Sequence, residues 1–183
     1  TAQAVIMESL DDRIPFFRSH TTLRWPMASL SKLVTALVVK EQIGLDKKIP
    51  ISETATQTLG ESGGLKSGEI YSAEDLLKIM LLTSSNDAGV ALEEHVGGRT
   101  IMAKMLNQKA IALGMNQTNF DDATGLSDFN VSIADDLLKL TRAIVERNPE
   151  VFSWTRMEDF LVQPLNGAQT KTAISTNPFI RKA

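Results

Sequence analysis

Three spacings of apolar residues succeed one another along the chain. Near the start, the short apolar run Ala4–Met7 gives way to Asp11, Asp12 and Arg13, and a second run returns from Ile14 to Arg18. That order reads as strand, turn and strand, the first being an edge strand that begins at the N-terminus. From Ser29 to about Ile43, Leu30, Leu33, Val34, Leu37 and Val38 recur at helical spacing, and Gly44 supplies the stop. Residues 45–72 are polar and interrupted by Gly60, Gly63, Gly64 and Gly68, a pattern of loops and short strands.

The second half of the chain is more helical. Ala73–Leu82 is apolar almost all round, which predicts a helix buried on most sides. Asp87–His95 reads as a helix closed by Gly97 and Gly98, and Thr100–Leu113 as another, with Thr100 as cap and Gly114 as stop. Ser132–Arg147 is expected to form a helix capped by Ser132, with Asp135 and Asp136 favourable to its dipole. Pro149 starts a short helix, and 159–163 and 173–180 read as strands. Strands at both ends with helices between predict an α+β fold, a helical cluster packed on one antiparallel sheet formed by the chain termini. With no low-complexity linker or repeat, residues 1–183 are taken as a single domain.

Composition narrows the chemistry mainly by exclusion. The chain has 183 residues, a formal net charge of −3 and no basic stripe with interleaved aromatics, so no nucleic-acid partner is expected. Without cysteine there is neither a disulfide nor a thiolate nucleophile. His20 and His95 are the two histidines and lie far apart, which argues against a histidine metal centre or a histidine-based triad. His95 and the pairs Glu93–Glu94 and Asp135–Asp136 read as solvated positions, and Met80, Met102, Met105 and Met115 as core. The glycines between 60 and 68 lack the lysine and spacing of a phosphate loop.

Two short strings carry candidate chemistry. Ser29 and Lys32 stand three apart and share a helix face, so the lysine nitrogen can reach the serine hydroxyl. At a helix start the dipole favours an oxyanion, and burial would lower the lysine pKa toward that of a base. The same serine could equally serve as an N-cap, since about one Ser-x-x-Lys is expected by chance in a chain of this length. Ser84-Ser85-Asn86 follows the buried helix and places two hydroxyls and an amide at a helix junction. There too the alternative is a cap, by Ser85 or Asn86.

Ser-x-x-Lys followed by Ser-x-Asn belongs to the motif set of penicillin-binding proteins and class A β-lactamases. The resemblance extends beyond the motifs. Residues 26–36 resemble the nucleophile segment of the serine D-alanyl-D-alanine carboxypeptidases, the low-molecular-mass penicillin-binding proteins of peptidase family S11. Residues 81–92, 113–120, 123–126 and 132–137 are similar to later segments of that family, in the same order. The resemblance implies the β-lactamase/transpeptidase-like fold and cleavage of the bond between two D-alanines of a peptidoglycan stem peptide, through an acyl-enzyme. It implies Ser29 as nucleophile, Lys32 as its base, Ser84 as proton relay to the leaving amine and Asn86 as binder of substrate and lysine. It also implies acylation by β-lactam antibiotics, no cofactor, and a periplasmic or other extracytoplasmic location with peripheral membrane attachment through a C-terminal segment. A β-lactamase and a non-catalytic peptidoglycan-binding protein of the same fold are the alternatives. The first also needs a downstream glutamate string, Glu-x-x-Leu-Asn, that is not found here.

One family motif, Lys-Thr-Gly, does not occur; the nearest string is Lys171-Thr172-Ala173. A methyl in place of the glycine hydrogen would intrude where a strand approaches a ligand. Residues 174–179 resemble a segment that precedes the Lys-Thr-Gly strand, so that strand is expected beyond Ala183 and the sheet is expected to be incomplete. An unpaired sheet edge would favour self-association.

Overall fold

The structure is a computed structural model, and it describes residues 2–180. Thr1, assigned to the first strand by its pattern, lies outside the described residues. β1 (Val5–Glu8) pairs antiparallel with β2 (Pro15–Ser19), as the two apolar runs around a polar turn predict. β3 (Trp25–Pro26) leads into a single 3-10 turn, Ala28–Leu30, and then α1 (Ser31–Val38), which runs on as a π turn, Val39–Ile43. Gly44, at φ +99°, ends it and donates its N–H to Val39 O at 2.9 Å.

β4 (Lys48–Pro50), a short α2 (Glu53–Thr56) and β5 (Ile70–Ser72) occupy the glycine-broken stretch. α3 (Ala73–Thr83) and α4 (Asn86–His95) follow, capped by the hydroxyls of Ser72 and Ser85. α5 (Arg99–Ala112), β6 (Val131–Ser132), α6 (Ala134–Arg147), α7 (Pro149–Thr155), β7 (Asp159–Val162) and β8 (Lys171–Ile174) complete the order.

α1 and α3 form the centre. α1 packs on α3, α5 and α7, and α3 also meets α4 and the β7–β8 hairpin. Val34, Ala36, Leu37, Val38, Leu76, Leu77 and Met80 are fully enclosed. Burying an aliphatic side chain of this size contributes about 1.5–3 kcal/mol, so this cluster fixes α1 firmly before any polar contact is made. Met102 and Met115 are buried and Met105 packs against the same core, as their spacing predicts.

Several local expectations are corrected. α5 is capped at Gly98, not Thr100, with no side-chain bond at the cap. Ser132 lies in β6 rather than capping α6; its hydroxyl is hydrogen-bonded to the Thr118 hydroxyl at 2.7 Å, and Ile133 holds the cap position. The last strand begins at Lys171, two residues early, and ends at Ile174 because Ser175–Asn177 turn on their own side-chain hydrogen bonds. The class is α+β, but the terminal strands do not share a sheet among the described residues. β1–β2 packs against α6 whereas β7–β8 packs against α3, so the two hairpins sit on different helices.

Glu93 and Asp136 are buried, not solvated. Asp136 accepts the Gln117 N–H at 2.8 Å and the Thr118 hydroxyl at 3.0 Å, and pairs with Lys139 at 2.7 Å. Asp135 is half-buried against Arg18, while Glu94 and His95 are exposed.

Candidate active site

Ser29 sits in the middle of the 3-10 turn, two residues before α1, and is exposed, while Lys32, one turn on, is buried at 2% exposure. Ser29 makes no cap bond to α1, so the N-cap alternative does not hold. Its hydroxyl oxygen instead lies 3.1 Å from Lys32 Nζ and 3.0 Å from Ser84 Oγ. Ser84 gets there because it ends α3 in the left-handed conformation, at φ +59° and ψ +26°. A non-glycine residue adopts this at a cost of roughly 1–2 kcal/mol, and here the turn swings its hydroxyl toward α1. Ala28, immediately before the serine, is also left-handed, at φ +46°.

Ser85 caps α4, accepting the Ala88 N–H at 3.0 Å, while Asn86, the first residue of α4, turns inward. Its side-chain oxygen accepts from Lys32 Nζ at 2.9 Å, and its nitrogen donates to Leu59 O at 2.9 Å. Asp87, buried at 1% exposure, accepts the Gly63 N–H and the Ser62 hydroxyl and so ties the 59–65 loop to this corner. All four residues singled out by their motifs therefore meet at Lys32 Nζ or Ser29 Oγ.

The third acceptor for Lys32 comes from a residue no motif marked. Thr124 O lies 2.7 Å from Lys32 Nζ. It is a backbone carbonyl, so no side-chain chemistry announced it; the only signal was the family-like string at 123–126. The loop that carries it is held from several sides. Thr35 donates its hydroxyl to Ala123 O at 2.8 Å, and Glu93 accepts the Ala123 N–H at 2.6 Å. Asn130, fully buried, donates to Ser31 Oγ at 2.9 Å and accepts the Asp121 N–H at 2.7 Å, joining the loop to α1 beside the lysine. Gly125, at φ +84°, lies so close to the Ala28–Leu30 turn that a Cβ there would stand 1.9 Å from Ala28 O and 2.9 Å from Ser29 N.

Burial pushes the Lys32 ammonium down from 10.5 to about 8, against the opposing pull of the Asp122 and Glu61 charges. Burial likewise raises the Glu93 carboxyl, although the Ala123 N–H draws it back. The shift raises the neutral fraction of Lys32 at neutral pH about 300-fold over that of a free lysine. A neutral amine has two N–H bonds and one lone pair. Asn86 Oδ1 and Thr124 O can take the two hydrogens, which leaves the lone pair for the Ser29 hydroxyl. An open cavity of about 450 Å³ reaches this point, lined by Ser29, Lys32 and Ser84 and walled by Leu33, Met80 and Phe152.

Lys171 belongs elsewhere. Its ammonium donates to Glu69 Oε2 at 2.6 Å and Gly64 O at 2.7 Å, and contacts none of the four site residues. No group of three or more metal-ligating side chains occurs among the described residues.

Comparison with known proteins places this arrangement in a family context. The family model described as D-alanyl-D-alanine carboxypeptidase, peptidase S11, matches residues 1–180. The chain is similar to the D-alanyl-D-alanine endopeptidase of Escherichia coli K12, 36% identical over 143 residues, covering 76% of this chain and 46% of that protein. Similarity to a D-alanyl-D-alanine carboxypeptidase of Mycobacterium tuberculosis is 31% over 172 residues, covering 92% of this chain and 58% of the relative. The chain thus spans about half the length of these curated relatives. A crystal structure of a D-alanyl-D-alanine carboxypeptidase from M. tuberculosis superposes with a TM-score of 0.87 at 28% identity, over 99% of this chain and 69% of that one.

Proposed function

Since the chain belongs to the D-alanyl-D-alanine carboxypeptidase family of serine peptidases, we propose that it carries the nucleophile half of an enzyme that cleaves the D-Ala-D-Ala amide of peptidoglycan stem peptides. The observation that carries this reading is the contact of Ser29 Oγ with both Lys32 Nζ and Ser84 Oγ, at 3.1 and 3.0 Å. Neutral Lys32 takes the proton of the Ser29 hydroxyl as the oxygen attacks the carbonyl carbon. Charge then develops on the carbonyl oxygen, and the Ser29 backbone N–H, in the 3-10 turn that leads into α1, is its donor. Such a donor contributes roughly 3–4 kcal/mol to the transition state. As the tetrahedral intermediate collapses, Ser84 passes a proton to the leaving nitrogen of the terminal D-alanine and recovers one from the Lys32 ammonium. The C–N bond breaks, D-alanine departs, and the acyl group stays on Ser29. Water then attacks that ester as Lys32 accepts its proton; the acyl C–O bond breaks, and the leaving Ser29 oxygen takes that proton from Lys32, which restores both groups. Asn86 holds the lysine and the substrate backbone.

A β-lactam offers the same Ser29 a strained amide whose leaving group stays tethered, so acylation by penicillins follows from the same reading. Peptidoglycan lies outside the cytoplasmic membrane, and the protein's work is placed there. Residues 1–183 act as one penicillin-binding domain, a reading supported by the continuous core from α1 to β8. No helix among the described residues is long and apolar enough to cross a membrane. Self-association with a second copy is supported by the exposed Met7, Phe16 and Phe17 on β1–β2 and Leu161 and Ile174 on β7–β8. A single monomeric boundary in sedimentation velocity at high concentration would refute it.

The test of function is intact mass after incubation with benzylpenicillin, for the wild-type chain and Ser29→Ala, together with D-alanine release from a diacyl-L-Lys-D-Ala-D-Ala peptide. One penicilloyl adduct in the wild type, absent in Ser29→Ala, is the expected result. An unlabelled wild type with intact antibiotic favours the non-catalytic binder; rapid conversion of the antibiotic without an accumulating adduct favours a β-lactamase.

A further inference from the structure

The carboxylate of Asp122 takes no part in the steps above, yet the lysine's third acceptor depends on it. Asp122 is buried at 4% exposure, under the loop that ends in β6. Its Oδ1 accepts the Thr124 N–H at 2.7 Å, the Thr124 hydroxyl at 3.0 Å and the Gly125 N–H at 2.5 Å. Its Oδ2 accepts the Ser127 N–H at 2.6 Å. One side chain thus gathers the donors of a whole turn. With its N–H groups fixed from below, that turn presents Thr124 O to Lys32 Nζ and lays Gly125 against the Ala28 carbonyl.

We propose that Asp122 is a positioning residue for the proposed reaction, setting both the place of Lys32 Nζ, through Thr124 O, and the charge state of that nitrogen through its own field. The inference rests on the reading of Lys32 as base, and the two parts are separable by chemistry. A neutral side chain of the same shape keeps most of the turn and removes the field. The field has a definite sign, since a negative charge nearby favours the ammonium and opposes the burial that lowers the lysine to about 8. Asp122 therefore keeps Lys32 from becoming a still weaker base. An amine whose pKa fell much further would be neutral but too weak to draw the serine proton.

Other charges facing this pair are few. Glu61 acts on Lys32 in the same direction as Asp122. Around Asp122 stand Glu93 on α4, Asp121 beside it and Arg99 on α5, whose guanidinium is 3.9 Å from Asp122 Oδ2 and is itself exposed and paired with Asp121. Arg99 partly neutralises Asp122, so its removal should act on Lys32 in the opposite sense.

The experiment is an NMR titration of side-chain Cε and Nζ resonances in the full chain labelled with 13C,15N-lysine, the Lys32 signal being assigned by its loss in Lys32→Met. In Asp122→Asn the Lys32 midpoint is expected to fall below the wild-type value by about half a unit or more, at least threefold in the neutral fraction. Arg99→Gln, at an exposed position, is expected to raise it. A midpoint in Asp122→Asn coincident with that of the wild type overturns the proposal, because a purely structural role leaves the titration where it was. Should Asp122→Asn fail to fold, Arg99→Gln decides: an upward shift supports the proposal and an unmoved midpoint overturns it. Because the titration needs no turnover, the two failures are distinguishable: a wild type that benzylpenicillin does not label counts against the proposed function and the role in it, while a shift in Asp122→Asn still shows that Asp122 sets the charge state of Lys32.

Discussion

Lys32 and Lys171 are both drawn into the protein, and they are set in opposite surroundings. Lys32 faces three neutral oxygens, on Ser29, Asn86 and Thr124, with its nearest charges acting from beyond that shell. Lys171 touches a carboxylate directly, Glu69, which also accepts the Tyr71 hydroxyl at 3.0 Å and the Lys66 N–H at 2.8 Å. Burial alone would raise the Glu69 carboxyl, but Lys171, the Lys66 N–H and Tyr71 together hold it below its ordinary value. Tyr71, by contrast, is pushed well up by burial and by Glu69. A buried ammonium among neutral acceptors is poised to lose its proton; Lys171 instead forms an ion pair with Glu69. The first arrangement suits chemistry and the second joins β8 to the 64–69 loop.

The difference can be broken at either end. Lys32→Met should have the largest effect, lowering the rate of acylation by benzylpenicillin about 10³-fold, the scale of a lost general base, with the fold kept by circular dichroism. Lys171→Met should do the reverse. It leaves Glu69 buried without its partner and should destabilise the chain by about 3 kcal/mol in urea unfolding, while the acylation rate of the folded fraction stays that of wild type. Gly125→Ala tests the support behind Lys32: a methyl 1.9 Å from Ala28 O must shift the Ala28–Leu30 turn. An acylation rate reduced roughly 10²-fold is expected, a scale known for misplacements of about 1 Å.

The smallest effect concerns pH and stability. Lys32 titrates near 8 when folded and near 10.5 when unfolded. Between those values the unfolded chain binds more protons, so the contribution of Lys32 to stability rises with pH across that window and is flat below it. Urea unfolding of wild type and Lys32→Met at pH 7.5 and pH 10 should show the difference moving toward the wild type at the higher pH.

Much of this was readable from residue spacing. The helices follow from hydrophobic periodicity, because burial of one face dictates it, and the first hairpin from two apolar runs around the Asp11–Arg13 turn. The helix caps were read less well. Thr100 and Ser132 have the right chemistry for a cap, but Gly98 opens α5 and Thr118 claims the Ser132 hydroxyl. Ser29, Lys32, Ser84 and Asn86 stood out by side chains with a chemistry of their own, and the fold brings the four together. Thr124, Asp122, Asn130 and Gly125 did not, since they act through a carbonyl, a set of N–H acceptors, a bridge between elements and the absence of a side chain. Glu93 and Asp136 look like surface acids until the backbone N–H groups they accept, on Ala123 and Gln117, are in place.

The central claim is that Ser29 attacks with neutral Lys32 as its base. Its most direct test is the rate of benzylpenicillin acylation from pH 6 to pH 9.5, with the adduct located by peptide mapping. The account predicts an adduct on Ser29 alone and a rate that rises about tenfold per pH unit before levelling near pH 8. An adduct elsewhere, or a rate on Ser29 that does not change across that range, would contradict it.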